Sequence, residues 1–411
     1  MSNTEVQSET RLPERPSGWA DPIREIRRYF RPSRDRWRDF RNKKLGDPAF
    51  QRSASRFWLT RRIARKSSRR LFDLVAGFVY SQALAAGVEL NLFSHLSRGP
   101  RTLPEIAAAI GLEPTAAERL LRALAAVDLV EIDDSGDEIV YALGPLGASL
   151  VANPGAEAMI RHHKDVYHDL SDPVALLKGE NKDTRLSKLW PYAANPGGTP
   201  PENADVAAYT DLMAASQDLV ADEVVSSYDV SWAKRMLDLG GGDGRFLRKV
   251  AAHHPDIELH MMEVPAVAEI ARTRIGETRF GRRIHVHSGD FFEDQYPDGA
   301  FDLVTLVRIL HDHDDAEALK LLTRAREALR PGGVVLVAEP MAGSDDSAAI
   351  ADAYFGFYLL AMGRGRPRTP AEIGRLMSAA GLSAIREVPT ALPVAASIVL
   401  GEIPRRNVSF T

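Results

Sequence analysis

The arrangement of apolar and polar positions divides the chain into a helical first half and an alternating second half. From Leu71, "LFDLVAGFVYSQALAAGVELNLFSHL" has apolar residues at i, i+3, i+4 and i+7, which predicts a long buried helix. Residues 145–230 also have helical patterns, interrupted by a predicted hinge or lid loop at "NPGGTPPENAD". After residue 234, short apolar runs alternate with helical segments. This alternation predicts a parallel, doubly wound α/β sheet with ligands beyond the carboxyl ends of its strands.

The predicted strands of that sheet are five short apolar runs. They are "RMLDLG", "IELHMME", "RIHVHSG", "FDLVTLV" and "GVVLVAE".

A small helical unit is predicted between the long helix and the sheet. Thr102 with Glu105, and Thr115 with Glu118, have the spacing of capping boxes and predict two short helices, followed by two strands around "DDSGDE". This order is typical of a winged-helix domain, which can bind DNA or mediate dimerisation. The wing segment 131–138 contains five acidic residues, which would repel phosphates. We therefore expect a homodimer and no nucleic-acid partner; a nucleoside-sensing winged-helix regulator is the non-enzyme alternative.

The charge of the chain is unevenly distributed. The net charge is −4, yet residues 21–70 hold 18 Lys or Arg against 5 Asp or Glu. A basic arm of this kind indicates either a solvated helical face or contact with an anionic membrane surface. Residues 1–20 are polar with spaced prolines and are predicted to be disordered. We expect a basic arm at 1–70, a winged-helix domain at 71–200 and a ligand-binding domain at 201–411.

The composition also bears on location and metal chemistry. The chain has no cysteine, which rules out disulfides and zinc-thiolate sites. The N-terminus has no apolar core segment, so neither export nor membrane spanning is expected. We expect a cytoplasmic protein, with peripheral membrane contact through the arm.

The first predicted strand runs into a glycine loop, "LDLGGGDGRFL". Gly240, Gly242 and Gly244 allow a tight strand-to-helix turn and a close approach of a ligand to the backbone. Arg245 stands where a dinucleotide fingerprint has its third glycine, and the Lys-Ser/Thr pair of a P-loop is absent. The loop therefore predicts a ligand that requires no phosphate contact.

Two acidic positions after the next strands specify that ligand. Glu263 ends the second strand, where a carboxylate can accept hydrogen bonds from ribose hydroxyls. Asp290 follows the third strand, where it can accept from an adenine amino group while Phe291 or Phe292 packs on the ring. An adenosine ligand without a phosphate requirement indicates S-adenosylmethionine.

Taken in order, "LDLGGGDGRFL", "MEVPAV", "SGDFFED", "LVRILHDHDD" and "LRPGGVVLVAEP" resemble class I S-adenosylmethionine-dependent O-methyltransferases with an N-terminal winged-helix dimerisation domain. The resemblance implies a Rossmann-like α/β catalytic domain preceded by an all-helical winged-helix domain. By the family pattern, the loop glycines, Glu263, Asp290 and Phe291 would bind the cofactor.

The same resemblance assigns roles in "LHDHDD". His311 matches the family's catalytic base, and Glu339 matches an acid that orients it, with Asp312 as a supporting group. The chain departs from the family at Val307, where a Lys is usual, and at His313, where an aromatic is usual. Near the end, Pro367 replaces a second family acid, so orientation of the base by two carboxylates is not expected.

An alternative interpretation makes "HDHDD" a metal site. An extended loop would put His311 and His313 on one side. However, Asp314 and Glu317 have the spacing of a capping box, which explains Asp314 without an ion. We therefore expect a base followed by a helix start, and no metal ligands there.

The acceptor is expected to be a hydrophobic small molecule. The segments "RDFRNKKLGDPAFQ", "FDLVAGFVYSQAL" and "DAYFGFYLLAMGRGRPRTPAEI" resemble the hydroxycarotenoid (demethylspheroidene) O-methyltransferases, which implies a tertiary hydroxyl on a polyene. Phe355, Tyr358 and Met362 are the candidate pocket residues, although such a stripe is also typical of plain core. An aromatic polyketide or another phenol is the alternative acceptor.

Overall fold

The computed structural model describes residues 35–189, 206–297, 300–343 and 346–404. The predicted disorder of residues 1–20 and the predicted hinge at 195–205 lie outside these ranges. The chain forms two compact units, one ending at Val79 and the other beginning at Tyr80. The predicted domain limits after residues 70 and 200 stay predictions.

The first unit is helical. Its elements are residues 35–45 (α1), Pro48–Arg56 (α2) and the start of Arg61–Glu89 (α3), which continues into the second unit. The Asp47 carboxylate caps α2 by accepting a hydrogen bond from the Ala49 N–H at 2.8 Å.

The long helix α3 differs from its prediction in two ways. It begins ten residues before Leu71 and ends at Glu89. The prediction that it is buried was wrong for most of its length, since only Gly87 and Val88 are buried. Its apolar side chains Leu71, Phe72, Leu74, Val75 and Phe78 are each at least 65% exposed. By length and composition, α3 is also the one helix among the described residues that could cross a membrane.

A small α/β unit follows, with the predicted order of elements. It comprises Leu92–Leu96 (α4), Arg101–Thr102 (β1), Leu103–Ile110 (α5), Pro114–Ala125 (α6), Val130–Asp133 (β2), Val140–Leu143 (β3) and Pro145–Val151 (α7). The strands form an antiparallel sheet in the order β1-β3-β2. The domain is thus mainly helical but contains a three-stranded sheet, in which the third strand, β1, was not predicted because it is only two residues long.

One of the two predicted capping boxes in this unit is confirmed. Thr102 and Glu105 form the reciprocal bonds at the start of α5. The box at Thr115 was wrong because α6 begins at Pro114, which puts Thr115 inside the helix. Glu118 pairs instead with Arg122 one turn later, at 2.7 Å.

Four further helices lead to the large sheet. They are Pro154–Asp169 (α8), Pro173–Leu177 (α9), Arg185–Leu189 (α10) and Val206–Ser227 (α11).

The large sheet has seven strands, in the order β6-β5-β4-β7-β8-β10-β9. Its strands are Arg235–Leu239 (β4), Glu258–Glu263 (β5), Ile284–Ser288 (β6), Phe301–Val307 (β7), Leu329–Glu339 (β8), Ser383–Val388 (β9) and Ser397–Glu402 (β10). The helices are Arg245–His253 (α12), Pro265–Gly276 (α13), Asp315–Glu327 (α14), Asp346–Met362 (α15) and Pro370–Ala379 (α16), with a 3-10 turn at Leu310–Asp312.

The five predicted strands are confirmed as the parallel part of this sheet. All seven residues of β7 are buried, as expected of a strand covered on both faces. The antiparallel strands β9 and β10 were not predicted. The strand order reverses between β4 and β7, so a crevice is expected beyond their carboxyl ends.

Candidate active site

One cavity lies at this crevice, and it collects most of the predicted site residues. Among those that line it are Gly240, Gly242, Glu263, Asp290, Phe291, His311, Asp312, Phe355, Tyr358 and Met362. Gly244 and Glu339 lie outside its lining. Thr210, Met213, Ala214 and Gln217 of α11 also line it, and sequence reasoning missed them.

The glycine loop joins β4 to α12 in a conformation that side chains resist. Gly240 has φ +71°, in the left-handed region, and a Cβ there would collide with Cδ1 of Ile309. Gly242 has φ +58° and nothing within 4 Å of its Cβ direction. The loop is therefore closed against the protein at Gly240 and open at Gly242. Gly244, predicted to contact the cofactor, caps α12 and abuts Ile275 instead.

Glu263 ties the loop to the end of β5. Its Oε2 accepts from the Gly242 N–H and its Oε1 from the Val264 N–H, both at 3.0 Å. Burial raises the pKa of Glu263 to about 7, although these two bonds act in the opposite direction. The carboxylate thus faces the cavity from a fixed position.

The loop after β6 builds an aromatic wall of the cavity. Asp290 Oδ1 accepts from the Phe292 N–H at 2.8 Å, which fixes the turn. The rings of Phe291 and Phe292 lie 5.0 Å apart. The ring of His313 stands edge-on to Phe292 at 5.1 Å, and burial lowers the pKa of His313. His313 therefore serves as a neutral aromatic member of this wall.

The loop after β7 carries His311 into the cavity. Arg308 adopts φ +61°, and the 3-10 turn that follows leaves His311 only 4% exposed. The imidazole stacks on Phe355 with ring centroids 5.9 Å apart. Its Nε2 lies 3.3 Å from Asp312 Oδ1. His311 thus faces Phe355 of α15, whereas His313 faces Phe291 and Phe292.

Glu339 holds His311 by the backbone rather than by the ring. Its Oε2 accepts from the His311 backbone N–H at 3.1 Å, while His311 Nδ1 lies 3.9 Å away. That ring nitrogen has no hydrogen-bond partner among the described residues. The ring contact expected from Glu339 is made by Asp312 instead.

The charges around His311 favour its protonated form. Burial alone would lower the pKa of His311, but Asp312 and Glu339 outweigh burial and raise it. Burial likewise opposes ionisation of Asp312, whose pKa is nevertheless lowered by His311. Burial raises the pKa of Glu339. A proton can therefore reside on His311 beside an ionised Asp312.

A segment beyond α15, "GRGRPRT", holds the His311 loop in place. Arg368 is fully buried and donates to the carbonyls of Leu310 and His313, each at 2.7 Å, and to Asp315 Oδ1 at 2.9 Å. Sequence reasoning missed this role because it considered only Pro367 here. A run of glycine and arginine ahead of the Thr369 capping box was the available signal.

Gly365 lets this segment approach the loop closely. It has φ +78°, and a Cβ there would overlap the carbonyl oxygen of His311. The Arg366 N–H donates to that same oxygen at 2.9 Å. The backbone of His311 is thus bonded on both sides, by Glu339 and by Arg366.

The start of α14 divides "HDHDD" as expected. Asp314 caps the helix by accepting from the Glu317 N–H at 2.9 Å. The reciprocal half of the capping box was wrong, because Glu317 pairs with Arg364 and approaches His313 Nδ1 at 3.4 Å.

The opposite wall joins α15 to α8 through two hydrogen bonds. Tyr358 Oη lies 3.0 Å from His162 Nε2, and Tyr354 Oη lies 2.8 Å from His163 Nε2. Burial lowers the pKa of both histidines, so the imidazoles are neutral, and raises the pKa of Tyr358. Sequence reasoning missed both histidines, which lie almost 200 positions before their partners.

Comparison with known proteins places these features in a family. The family model described as "O-methyltransferase domain" matches residues 167–383, and "O-methyltransferase dimerisation domain" matches residues 72–153. The demethylspheroidene O-methyltransferase of Cereibacter sphaeroides is 42% identical, over 87% of this chain and 93% of its own. That of Rhodobacter capsulatus is 39% identical, over 84% of each chain.

Relatives with other names are more distant. The 3-hydroxy-5-methyl-1-naphthoate 3-O-methyltransferase of Streptomyces sahachiroi is 30% identical, over 80% of this chain and 94% of its own. The solved structure of mitomycin 7-O-methyltransferase has a TM-score of 0.67 at 26% identity, over 83% and 99% of the two chains. Human N-acetylserotonin methyltransferase, solved with its SAM ligand, shares the fold with a TM-score of 0.68 at 22% identity, over 82% and 98%.

Proposed function

This chain belongs to the O-methyltransferase family with an N-terminal dimerisation domain, and we propose that it methylates the tertiary hydroxyl of a hydroxycarotenoid of the demethylspheroidene type. The chain is an S-adenosylmethionine-dependent O-methyltransferase, which sets aside the alternative of a winged-helix regulator. The observation that carries the choice of acceptor is its 42% and 39% identity to two demethylspheroidene O-methyltransferases over most of the chain.

The cavity offers groups suited to S-adenosylmethionine. The open face of Gly242 leaves room for the ligand beside the backbone, and the Glu263 carboxylate, next to it, suits the ribose hydroxyls. Asp290 and Phe291 suit the amino group and the ring of adenine. When bound, the cofactor supplies a methyl group on a positively charged sulfur.

His311 is proposed as the general base. An alcohol is a weaker acid than a phenol, whose pKa is about 10, so the proton should leave as the acceptor oxygen attacks. S-adenosylmethionine would supply the methyl group to the acceptor oxygen, and the imidazole of His311 would take the proton that this oxygen loses. Because Nδ1 is buried and lies 3.9 Å from Glu339, Nε2, beside Asp312 on the cavity side, is the ring nitrogen proposed to accept the proton.

The part of the cavity lined by α15, here called the acceptor wall, suits an apolar substrate. Phe355, Leu359 and Met362 present carbon, and Tyr358 presents one hydroxyl already bonded to His162. Such a wall excludes water from the methyl transfer. It also holds the acceptor oxygen in line with the methyl group.

A direct assay tests the proposal. Purified protein with S-adenosylmethionine is offered a hydroxycarotenoid of the demethylspheroidene type and, separately, a hydroxynaphthoate. We expect mass spectrometry to detect the O-methylated carotenoid as the preferred product. Preference for the phenol would favour the aromatic alternative, supported by the 30% identical naphthoate enzyme. Absence of cofactor binding by calorimetry would contradict both.

The dimerisation domain indicates a homodimer, which explains why α3 carries exposed apolar side chains in the single chain. The family match begins at residue 72, where the exposed apolar side chains of α3 lie. We assign that apolar surface to the contact between two subunits rather than to a membrane span. We propose a cytoplasmic location for the enzyme.

We further propose that the basic arm brings the enzyme to anionic membranes, where an apolar acceptor dissolves. Within the described residues 35–70, 13 Lys or Arg accompany 3 Asp or Glu. Trp37, Phe40, Phe57 and Trp58 are more than half exposed among these cations, a combination suited to a lipid interface.

Vesicle co-sedimentation tests the arm. Replacing the six basic residues of 61–70 by Gln in the full chain should reduce binding to phosphatidylglycerol vesicles by more than about tenfold, since each is worth about 1 kcal/mol. Binding to phosphatidylcholine vesicles serves as the control. Equal binding of both proteins to the anionic vesicles would contradict the proposal and leave the methylation assay unaffected.

A further inference from the structure

A cluster of histidines lies on the sheet outside the cavity. Glu258 and His260 are two residues apart on β5 and therefore project from the same face. In the parallel pairing of β5 with β6, His260 stands opposite His285, and Met262 opposite His287. Period-2 alternation on two neighbouring strands thus gathers three imidazoles and one carboxylate. Sequence reasoning had used these runs only as strands.

Side-chain distances within the cluster are short. Glu258 Oε1 lies 2.8 Å from His260 Nε2, and His260 Nδ1 lies 2.9 Å from His287 Nε2. The ring centroids of His260 and His285 are 4.9 Å apart. One potential ligand atom from each of Glu258, His260 and His285 lies within 4.8 Å of the others.

We propose that Glu258, His260 and His285 bind a divalent transition metal ion of the Zn²⁺ class. Imidazole nitrogen and carboxylate oxygen are the ligands that Zn²⁺, Ni²⁺ and Cu²⁺ prefer in the absence of thiolate. Zn²⁺ bonds to these atoms at about 2.0–2.2 Å in tetrahedral geometry, which requires ligand atoms roughly 3.4 Å apart. Movements of about 1 Å close the site. Glu258 and His285 are exposed and can make them.

The buried member of the trio is already oriented for this role. His260 is 6% exposed, and its two ring nitrogens have separate partners. When Nε2 binds the metal, Nδ1–H can donate to His287, which is the outer hydrogen bond that metal-bound imidazoles normally make. His287 therefore acts as the orienting residue rather than as a ligand.

The guanidinium of Arg235 competes with a metal ion for this site and would limit its affinity. Arg235 Nε contacts Glu258 at 3.1 Å, and Arg235 Nη2 lies 3.5 Å from His260 Nε2. The incoming metal must displace this guanidinium from the carboxylate, so we expect affinity in the micromolar range. The ion would link β5 to the edge strand β6, and these strands lead to Glu263 and Asp290 of the cavity.

Calorimetric titration of the metal-stripped full-length protein with ZnCl₂ tests the site. Saturating S-adenosylhomocysteine is included so that the cavity containing His311 and His313 is occupied. We expect one Zn²⁺ per chain in the wild type. His285→Asn and Glu258→Gln should each weaken binding at least about tenfold, because loss of a residue that only hydrogen-bonds a metal ligand already lowers affinity by about that factor. The chain has no cysteine to bind the ion instead.

His253→Asn is the matched control, because His253 is exposed on α12 outside the cluster, and it should bind like the wild type. Circular dichroism verifies that each variant is folded. Failure of the wild type to bind one equivalent, or wild-type affinity in His285→Asn, would overturn the proposal. Neither outcome depends on methyl transfer, so the proposed function is tested separately.

Discussion

The two walls of the cavity are built in different ways. The cofactor wall consists of short loops at the ends of β4, β5 and β6, held by hydrogen bonds that backbone N–H groups donate to nearby carboxylates, such as Gly242 N–H to Glu263 Oε2. The acceptor wall consists of helices, and α8 meets α15 through side chains far apart in sequence, such as His162 and Tyr358. The first wall fixes one ligand by backbone geometry, whereas the second can change with a few side chains. His311 lies between them, and this arrangement predicts which substitutions affect which ligand.

The largest effect is expected at His311. His311→Ala should lower kcat about 10²- to 10⁴-fold, the usual contribution of a general base. The cofactor Kd, measured by calorimetry, should change little because the ring stacks on Phe355 of the acceptor wall. His313→Phe is the control, since a phenyl ring preserves the aromatic wall, and it should retain activity. A loss of cofactor affinity equal to the loss of kcat would assign His311 to the cofactor wall.

Gly240→Ala tests the rigidity of the cofactor wall. The left-handed φ costs an L-residue about 1–2 kcal/mol, and the added Cβ collides with Ile309. We therefore expect cofactor affinity to fall roughly tenfold or more. Gly276→Ala, at the end of α13 with open space around it, is the control and should bind normally. Unchanged affinity in Gly240→Ala would refute a wall fixed by backbone geometry.

Arg368 tests whether the His311 loop depends on its support. Arg368→Lys cannot bond two carbonyls and Asp315 at once, and each lost bond to a charged donor is worth about 1.5–3 kcal/mol. We expect a lower melting temperature and a kcat at least about tenfold lower. Arg366→Lys keeps its backbone bond to His311 and is the control. A reduced melting temperature with unchanged kcat and pH profile would limit Arg368 to a structural role.

A smaller effect is expected on the acceptor wall. Tyr358→Phe removes one hydrogen bond, worth about 0.5–1.5 kcal/mol, so the acceptor KM should rise roughly two- to twelvefold. The cofactor Kd should stay constant. Tyr354→Phe, which removes a similar bond outside the cavity lining, should leave the KM unchanged. If both variants raise the KM equally, packing of α8 on α15 is the cause rather than contact with the acceptor.

The smallest expected effect is a shift in the pH dependence of the rate, which tests whether His311, between the two walls, is the titrating group. Only neutral His311 can accept a proton, so the rate should rise with pH through the pKa of His311, which its carboxylate neighbours raise above the usual value. Removing the charge in Asp312→Asn should lower the pKa of His311 and move the acidic limb to lower pH. Glu339→Gln should move it the same way. A limb that stays in place in both variants would exclude His311 as the titrating group.

The features that could be predicted from the sequence are those that depend on neighbouring residues. The five parallel strands, the glycine loop and the helix cap at Asp314 came from local patterns, because buried strands and caps follow from nearby residues. The capping box at Thr115 failed because the helix begins at Pro114, two residues earlier than a cap at Thr115 requires. The antiparallel strands β9 and β10 have a weak local pattern, since β10 is defined by its pairing with β8 and the edge strand β9 by its pairing with β10.

The sequence by itself determined the type of fold, the family and the loops that face the cofactor, since each depends on residues within one short segment. Only the tertiary structure decided which groups meet. It joined Arg368 to the His311 loop, His162 to Tyr358, and three histidines across β5 and β6. It also assigned the ring of His311 to Asp312 and its backbone to Glu339. The physical reason is that side-chain hydrogen bonds between distant segments depend on packing distances, which no local pattern specifies.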